Sequence, residues 1–201
     1  MSTFKIGGVH PHDNKEFSAH QPITAVELPK QAIIPLSQHI GAPAVPVVQK
    51  GDKVKVGQLL AQAGGFVSAP VHSPVSGTVT KIDNTIDAWG LKMPAVFINV
   101  EGDEWDENID RSTKLNPVCR LEPKEIIAKI QNAGIVGLGG ACFPTHVKLM
   151  PPPGKKAEVL IVNGVECEPY LTCDHQLMLE KSEEIVVGIE ILKKALGIDQ
   201  I

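Results

Sequence analysis

The chain has 201 residues, 43% of them hydrophobic and 21% charged, which excludes disorder as its main state and allows one large domain or two small ones. Nineteen basic and 23 acidic residues leave a net charge of −4, without the basic footprint a nucleic-acid binder needs. No run reaches the roughly eighteen apolar residues of a membrane span. The opening MSTFKIGGVHPHDNK has no apolar core of the signal-peptide kind, and four cysteines in this length fit free thiols in a reducing, cytosolic setting.

Prolines crowd the first part, at positions 11, 22, 29, 35, 43 and 46. Proline fixes φ and lacks a backbone donor, so long helices are not expected there. From about Pro29 to Val100 the runs are short and β-branched: Val45–Val48, Val54–Gln62, Pro70–Ile82 and Ala95–Val100, separated by Gly, Pro and Asp. This pattern predicts a small barrel or sandwich. Glu101–Asp110 then carries six acids and no base, without the spacing of a cation site, and reads as a solvated linker or exposed loop.

Beyond Asn116 the pattern changes. Glu122–Gly134 predicts a helix, with Pro123 in its first turn, Ile126, Ile127, Ile130 and Ala133 on one face, and Gly134 as its stop. Glu158–Gly164 is a continuous apolar run that predicts a strand covered on both faces. Ser182–Gly197 predicts a second helix with a stripe of Ile185, Ile189, Leu192 and Leu196. Helix, strand, helix implies an α/β domain, which is expected to continue beyond this chain.

Three motifs are candidates for chemistry. GDKVKVGQLLAQ followed by APVHSPVSGTVTKI resembles the barrel-sandwich hybrid of biotinyl and lipoyl carriers, with Pro74 and Gly77 bracketing a hairpin end. The modifiable lysine of a carrier falls about eight residues before that proline, where this chain has Phe66, so a structural barrel is expected. In GIVGLGGACFPTHVK (Gly134–Lys148), Gly137, Gly139 and Gly140 allow close backbone approach to a ligand. Pro144 is placed to open a short helix whose amides face the same ligand, and Lys148 is within reach of a phosphate. Neither a Rossmann nor a Walker A fingerprint occurs, and an ordinary structural turn remains the alternative. In VNGVECEPYLTCD (Val162–Asp174), Asn163, Glu166 and Glu168 follow the predicted strand, the usual place for a ligand in parallel α/β sheets, although a plain capped loop is the simpler reading.

These segments, with the opening FKIGGVHPHDNKE and the run PLSQHIGAPAVPVVQKGDKVKVGQLLAQ, resemble in order one family, the C subunits of the ion-translocating electron transport (Rnf) complex. The later part is also similar to the FMN-binding, NADH-oxidising flavoprotein subunit of respiratory complex I. The resemblance implies a mixed α+β fold: a β-rich barrel-sandwich hybrid over 1–115, ending in an acidic linker at about 101–115, then the first part of an α/β FMN- and NADH-binding domain over 116–201. It implies that Gly137, Gly139, Gly140 and Ala141 pass the FMN phosphate and ring, that Lys148 holds the phosphate side, and that Asn163 and Glu166 contact the flavin or its ribityl chain. Phe143 then stacks on a ring of NADH and Glu168 binds nucleotide hydroxyls. Leu138, Cys142 and Val165 depart from complex I, which has an arginine, a glycine and an acid there.

The implied activity is that of an electron-transfer subunit of a ferredoxin:NAD+ oxidoreductase that couples electron flow to Na+ or H+ movement. It would sit peripherally on the cytoplasmic face of the bacterial inner membrane, bound to the other Rnf subunits. Two [4Fe–4S] clusters belong to the remainder of such a protein. None is expected here, since Cys119, Cys142, Cys167 and Cys173 form no C-x-x-C run. No catalytic side chain and no metal ligand is expected. Cys167, Cys173 and His175 are close in sequence but lack a fourth partner for zinc. His10 and His12 read as loop residues, and His72 and His146 as packing or hydrogen-bonding residues. Residues 1–201 alone are expected to bind FMN weakly and to be inactive. A non-catalytic docking module of the same complex is the alternative.

Overall fold

The computed structural model of the chain describes residues 11–87 and 90–201, so the expectation for His10 lies outside them. Among the described residues, seven strands fill the first half, as the β-branched runs require: β1 (Gln31–Pro35), β2 (Val45–Pro46), β3 (Lys53–Val54), β4 (Leu59–Gln62), β5 (Val71–His72), β6 (Gly77–Ile86) and β7 (Lys92–Val100). No helix interrupts them there. They make a four-stranded sheet in the order β1-β7-β6-β3 and a three-stranded sheet in the order β2-β4-β5, with antiparallel pairing throughout. Leu36, Leu60, Val79, Val96 and Ile98 close the space between the sheets and are almost wholly buried. Each such side chain contributes about 1.5–3 kcal/mol by leaving water.

Two details depart from expectation. Pro74–Gly77 does not end a hairpin: it carries the chain from β5 in one sheet to β6 in the other. The hairpin tip is the β4–β5 connection, where Phe66 stands 68% exposed. The acidic run is exposed but is not a free tether. Val56 donates its N–H to Glu104 and accepts one from Asp106, at 2.9 Å each. The Ser76 hydroxyl donates to the Glu101 carbonyl at 2.7 Å. Its first part is therefore laid along the barrel.

The second half is helical: α1 (Pro123–Asn132), α2 (Thr145–Lys148), α3 (Cys173–Glu180) and α4 (Ser182–Leu196). Helix α1 starts where expected because Glu122 and Glu125 form a reciprocal capping box over Pro123. Its Ile126 and Ile130 pack with Leu149 and Ala195 into a small core. Helix α4 stops at Gly197, which takes φ 65°. The predicted strand Glu158–Gly164 is absent. Among the described residues only Val159 pairs, in a single parallel bridge to Gln200, and Ile161 is 84% exposed. An apolar run becomes a buried parallel strand only when neighbours take its N–H and C=O groups and helices cover both faces. Among the described residues, Gln200 alone supplies such a neighbour.

Barrel and helices meet at one seam. Gly134, just past α1, has φ 68°, and a Cβ there would lie 2.4 Å from the Pro70 carbonyl oxygen. The Ile40 N–H donates to the Ala141 carbonyl at 3.0 Å. The barrel thus supports the glycine-rich loop directly.

Candidate functional site

The glycine-rich loop is pinned at its base. Val136 bridges Pro144, Gly137 donates its N–H to the Phe143 carbonyl at 2.9 Å, and Thr145 donates to Ile135 at 3.0 Å. The last bond corrects one expectation, because the first amide of α2 is spent inside the protein rather than offered to a ligand. The open donors are instead those of the loop itself. Among the described residues, no protein group accepts from the amides of Leu138, Gly139, Gly140 or Ala141. Gly139 and Gly140 have φ 89° and 55°, and nothing lies within 4 Å of a Cβ built on either. Lys148 is exposed, and its Nζ lies 2.5 Å from where a Gly137 Cβ would stand. Free amides on left-handed glycines beside an ammonium form an arrangement that suits a phosphate.

The second loop is organised differently. The Asn163 Oδ1 accepts from the Val165 N–H at 3.0 Å, a local turn. Glu166 holds the start of α3: its Oε1 accepts from the Asp174 N–H at 3.0 Å and from the Cys173 thiol at 3.1 Å, and its Oε2 from the His175 N–H at 3.4 Å. The Asp174 bond, ahead of the thiol bond, holds the Glu166 carboxyl below its ordinary range, while the carboxylate pushes the Cys173 thiol up. Glu168 is exposed. Among the described residues no hydrogen bond joins this loop to the glycine-rich one. Glu166, Cys173 and Asp174 gather within 4.8 Å, whereas a thiol that donates to a carboxylate is poorly prepared to act as a thiolate ligand.

Sequence reasoning missed Lys15. Its ammonium donates to the carbonyls of Glu166 at 3.0 Å, Glu168 at 3.1 Å and Leu171. It also missed α3, since CDHQLMLE carries no clear apolar stripe at helical spacing. A lone lysine in a polar segment has no local signature that could have revealed the first. His146 is 1% exposed and, among the described residues, neither ring nitrogen finds a partner, so of the two roles expected for it only packing is realised there. His72 is pushed below its ordinary pKa by burial. It lines a cleft of about 220 Å³ at the seam with His39, Pro70, Gly134 and Val136.

A two-sheet barrel whose hairpin tip lacks a lysine, joined to a loop of open amides and an ammonium, defines a class: a barrel-sandwich hybrid built onto a domain with a candidate phosphate-binding loop. The comparisons agree. Residues 2–103 match the RnfC barrel-sandwich hybrid domain and residues 130–201 match the Nuo51 FMN-binding domain. The chain belongs to the RnfC family. It is 48% identical over 195 residues to the C subunit of the proton-translocating ferredoxin:NAD(+) oxidoreductase complex of Clostridium ljungdahlii, covering 96% of this chain and 42% of that protein. It is 46% identical over 201 residues to the Na(+)-translocating counterpart of Acetobacterium woodii, covering 98% and 44%. It is 44% identical over 195 residues to the C subunit of an ion-translocating oxidoreductase complex of Pseudomonas aeruginosa, covering 94% and 24%. The chain therefore spans less than half the length of these relatives. Among the described residues no helix is long and apolar enough to cross a membrane.

Proposed function

We propose that this chain forms the barrel and the first wall of the FMN and NAD(H) site in the C subunit of a ferredoxin:NAD+ oxidoreductase complex, divided at about residue 115. The observation that carries this reading is the Lys148 ammonium against Gly137, beside loop amides that find no acceptor among the described residues. Lys148 holds the phosphate charge, while Gly137, Gly139, Gly140 and Ala141 keep the backbone close to phosphate and ring. Asn163 and Glu166 lie along the ribityl side, Phe143 stacks on a ring of NADH, and Glu168 accepts from nucleotide hydroxyls. When bound, FMN supplies two-electron exchange with NADH and one-electron exchange with iron–sulfur clusters, and the protein supplies position and electrostatics. Two [4Fe–4S] clusters in the rest of the subunit take up those electrons. The complex couples the transfer to Na+ or H+ movement, with this subunit peripheral on the cytoplasmic face of the bacterial inner membrane and bound to the other Rnf subunits.

Residues 1–201 alone are expected to bind FMN weakly, because Gly139 and Gly140 face open space and a ligand pocket normally buries most of its ligand. The docking-module reading draws on a different observation: both oxygens of Glu166 are engaged in holding α3. Substitution separates the two. In the full-length subunit, Glu168→Ala and Phe143→Ala should weaken NADH binding, measured by calorimetry, about tenfold, and FMN retention little. Unchanged NADH affinity in both variants would remove the nucleotide roles and favour docking.

A further inference from the structure

The loop that carries Glu166 and Glu168 has almost no secondary structure to hold it, and its residues from Asn163 to Val165 and from Cys167 to Leu171 are exposed. Among the described residues, no backbone N–H donates to the carbonyls of Glu166, Glu168 or Leu171. All three converge on one group, the Lys15 ammonium. An ammonium has three donors, so its capacity is fully used, and each bond is charge-assisted. Four more contacts join residues 13–23 to this part of the chain, three at Tyr170 and one at the end of α3. The Tyr170 N–H donates to the Asp13 carbonyl and the Ser18 hydroxyl to the Tyr170 carbonyl, both at 2.6 Å. The rings of Phe17 and Tyr170 stack with centroids 6.2 Å apart and planes at 12°. The Ile23 N–H donates to the Glu180 carboxylate at 2.9 Å. Tyr170 has φ 68°, a left-handed conformation that costs a side-chain-bearing residue about 1 kcal/mol or more and needs outside support.

We infer that residues 13–23 are a strap whose Lys15 is a positioning residue for the nucleotide end of the site, setting the backbone from Glu166 to Leu171 and hence the aim of Glu168. This rests on the proposed role of Glu168. Lys15 touches no ligand itself; it acts through three carbonyls that no local bond would otherwise orient. Its effect falls on NADH affinity: the Glu166 carboxylate, on the ribityl side, stays anchored by the Asp174 and His175 N–H groups, so FMN retention and the turnover of bound NADH are left in place. Arginine keeps the charge but spreads its donors over a planar fork, which does not match three convergent acceptors.

The test uses the full-length, FMN-loaded subunit and NADH-dependent reduction of ferricyanide. Lys15→Met should raise the NADH KM about tenfold, with kcat within about twofold of wild type and FMN per chain unchanged. Lys15→Arg should fall between, whereas a role of charge alone predicts wild-type behaviour for it. Glu168→Ala is measured alongside. If Glu168→Ala raises KM and Lys15→Met leaves it within about twofold of wild type, the positioning role is wrong and the reading of the loop stands. If neither variant moves KM, the reading of the loop fails and takes this inference with it. Should Lys15→Met not fold, Ser18→Ala, which frees the Tyr170 carbonyl from the same strap, should raise KM about threefold; an unchanged KM there overturns the inference.

Discussion

The most direct probe of the phosphate side is Gly137→Ala. Gly137 does not have positive φ, so alanine is conformationally acceptable at that position. The added Cβ would stand 2.5 Å from the Lys148 Nζ and 3.7 Å from the Phe143 carbonyl oxygen. The first contact is impossible and the second ordinary. Relief is easy, because the clashing atom is the free end of a flexible, exposed side chain, so the fold should hardly notice. A shift in melting temperature of no more than about 2 °C is expected, equivalent to about 0.5–1 kcal/mol for a protein of this size. The ligand should notice more. Displacing the ammonium removes a hydrogen bond from a charged donor, worth about 1.5–3 kcal/mol, or roughly ten- to a hundredfold in FMN affinity. Flavin-fluorescence titration of the full-length subunit measures this beside a thermal melt. Lys148→Ala should reproduce the loss, and the double variant should add nothing further, since both changes remove the same contact. An unchanged FMN affinity in Gly137→Ala would refute the placement of Lys148 on the phosphate, and additive losses would refute the shared cause.

Gly134→Ala should behave in the opposite way. Its φ of 68° and a Pro70 carbonyl oxygen 2.4 Å from the added Cβ are both backbone constraints, so a loss of about 2–4 kcal/mol is expected. That lowers the melting temperature by roughly 5–10 °C, and a change too small to resolve would show that the barrel–helix seam is not close-packed. Glu166 sets a pH dependence. Its carboxyl is held below the ordinary value of about 4.5, chiefly by the Asp174 N–H. Its contribution to anchoring α3 is thus fully present above that ordinary value and is lost as pH falls through the lower folded value. A carboxyl 13C titration should place its midpoint below 4.5, and a midpoint at or above that value would contradict the anchoring.

Local pattern was enough for much of this protein. Short β-branched runs between Gly and Pro can satisfy their backbone only by pairing, so the strands before Val100, and the lack of helices among them, follow from composition and spacing. Helices α1 and α4 announced themselves through Pro123, Gly197 and their apolar stripes, because caps and 3.6-residue periodicity are local properties. The candidate site residues stood out as two polar or glycine-rich loops. What their groups do did not. The sheet switch at Pro74–Gly77, the amide of Thr145 spent on Ile135, the missing strand at Glu158–Gly164 and the Glu166 carboxylate anchoring α3 all depend on partners that local periodicity does not encode. Lys15 marks the limit most clearly. In the sequence it is one lysine among polar neighbours, and only the folded chain brings its ammonium to three carbonyls some 150 positions away. A hydrogen bond is defined by distance and direction in space, and sequence separation carries no information about either.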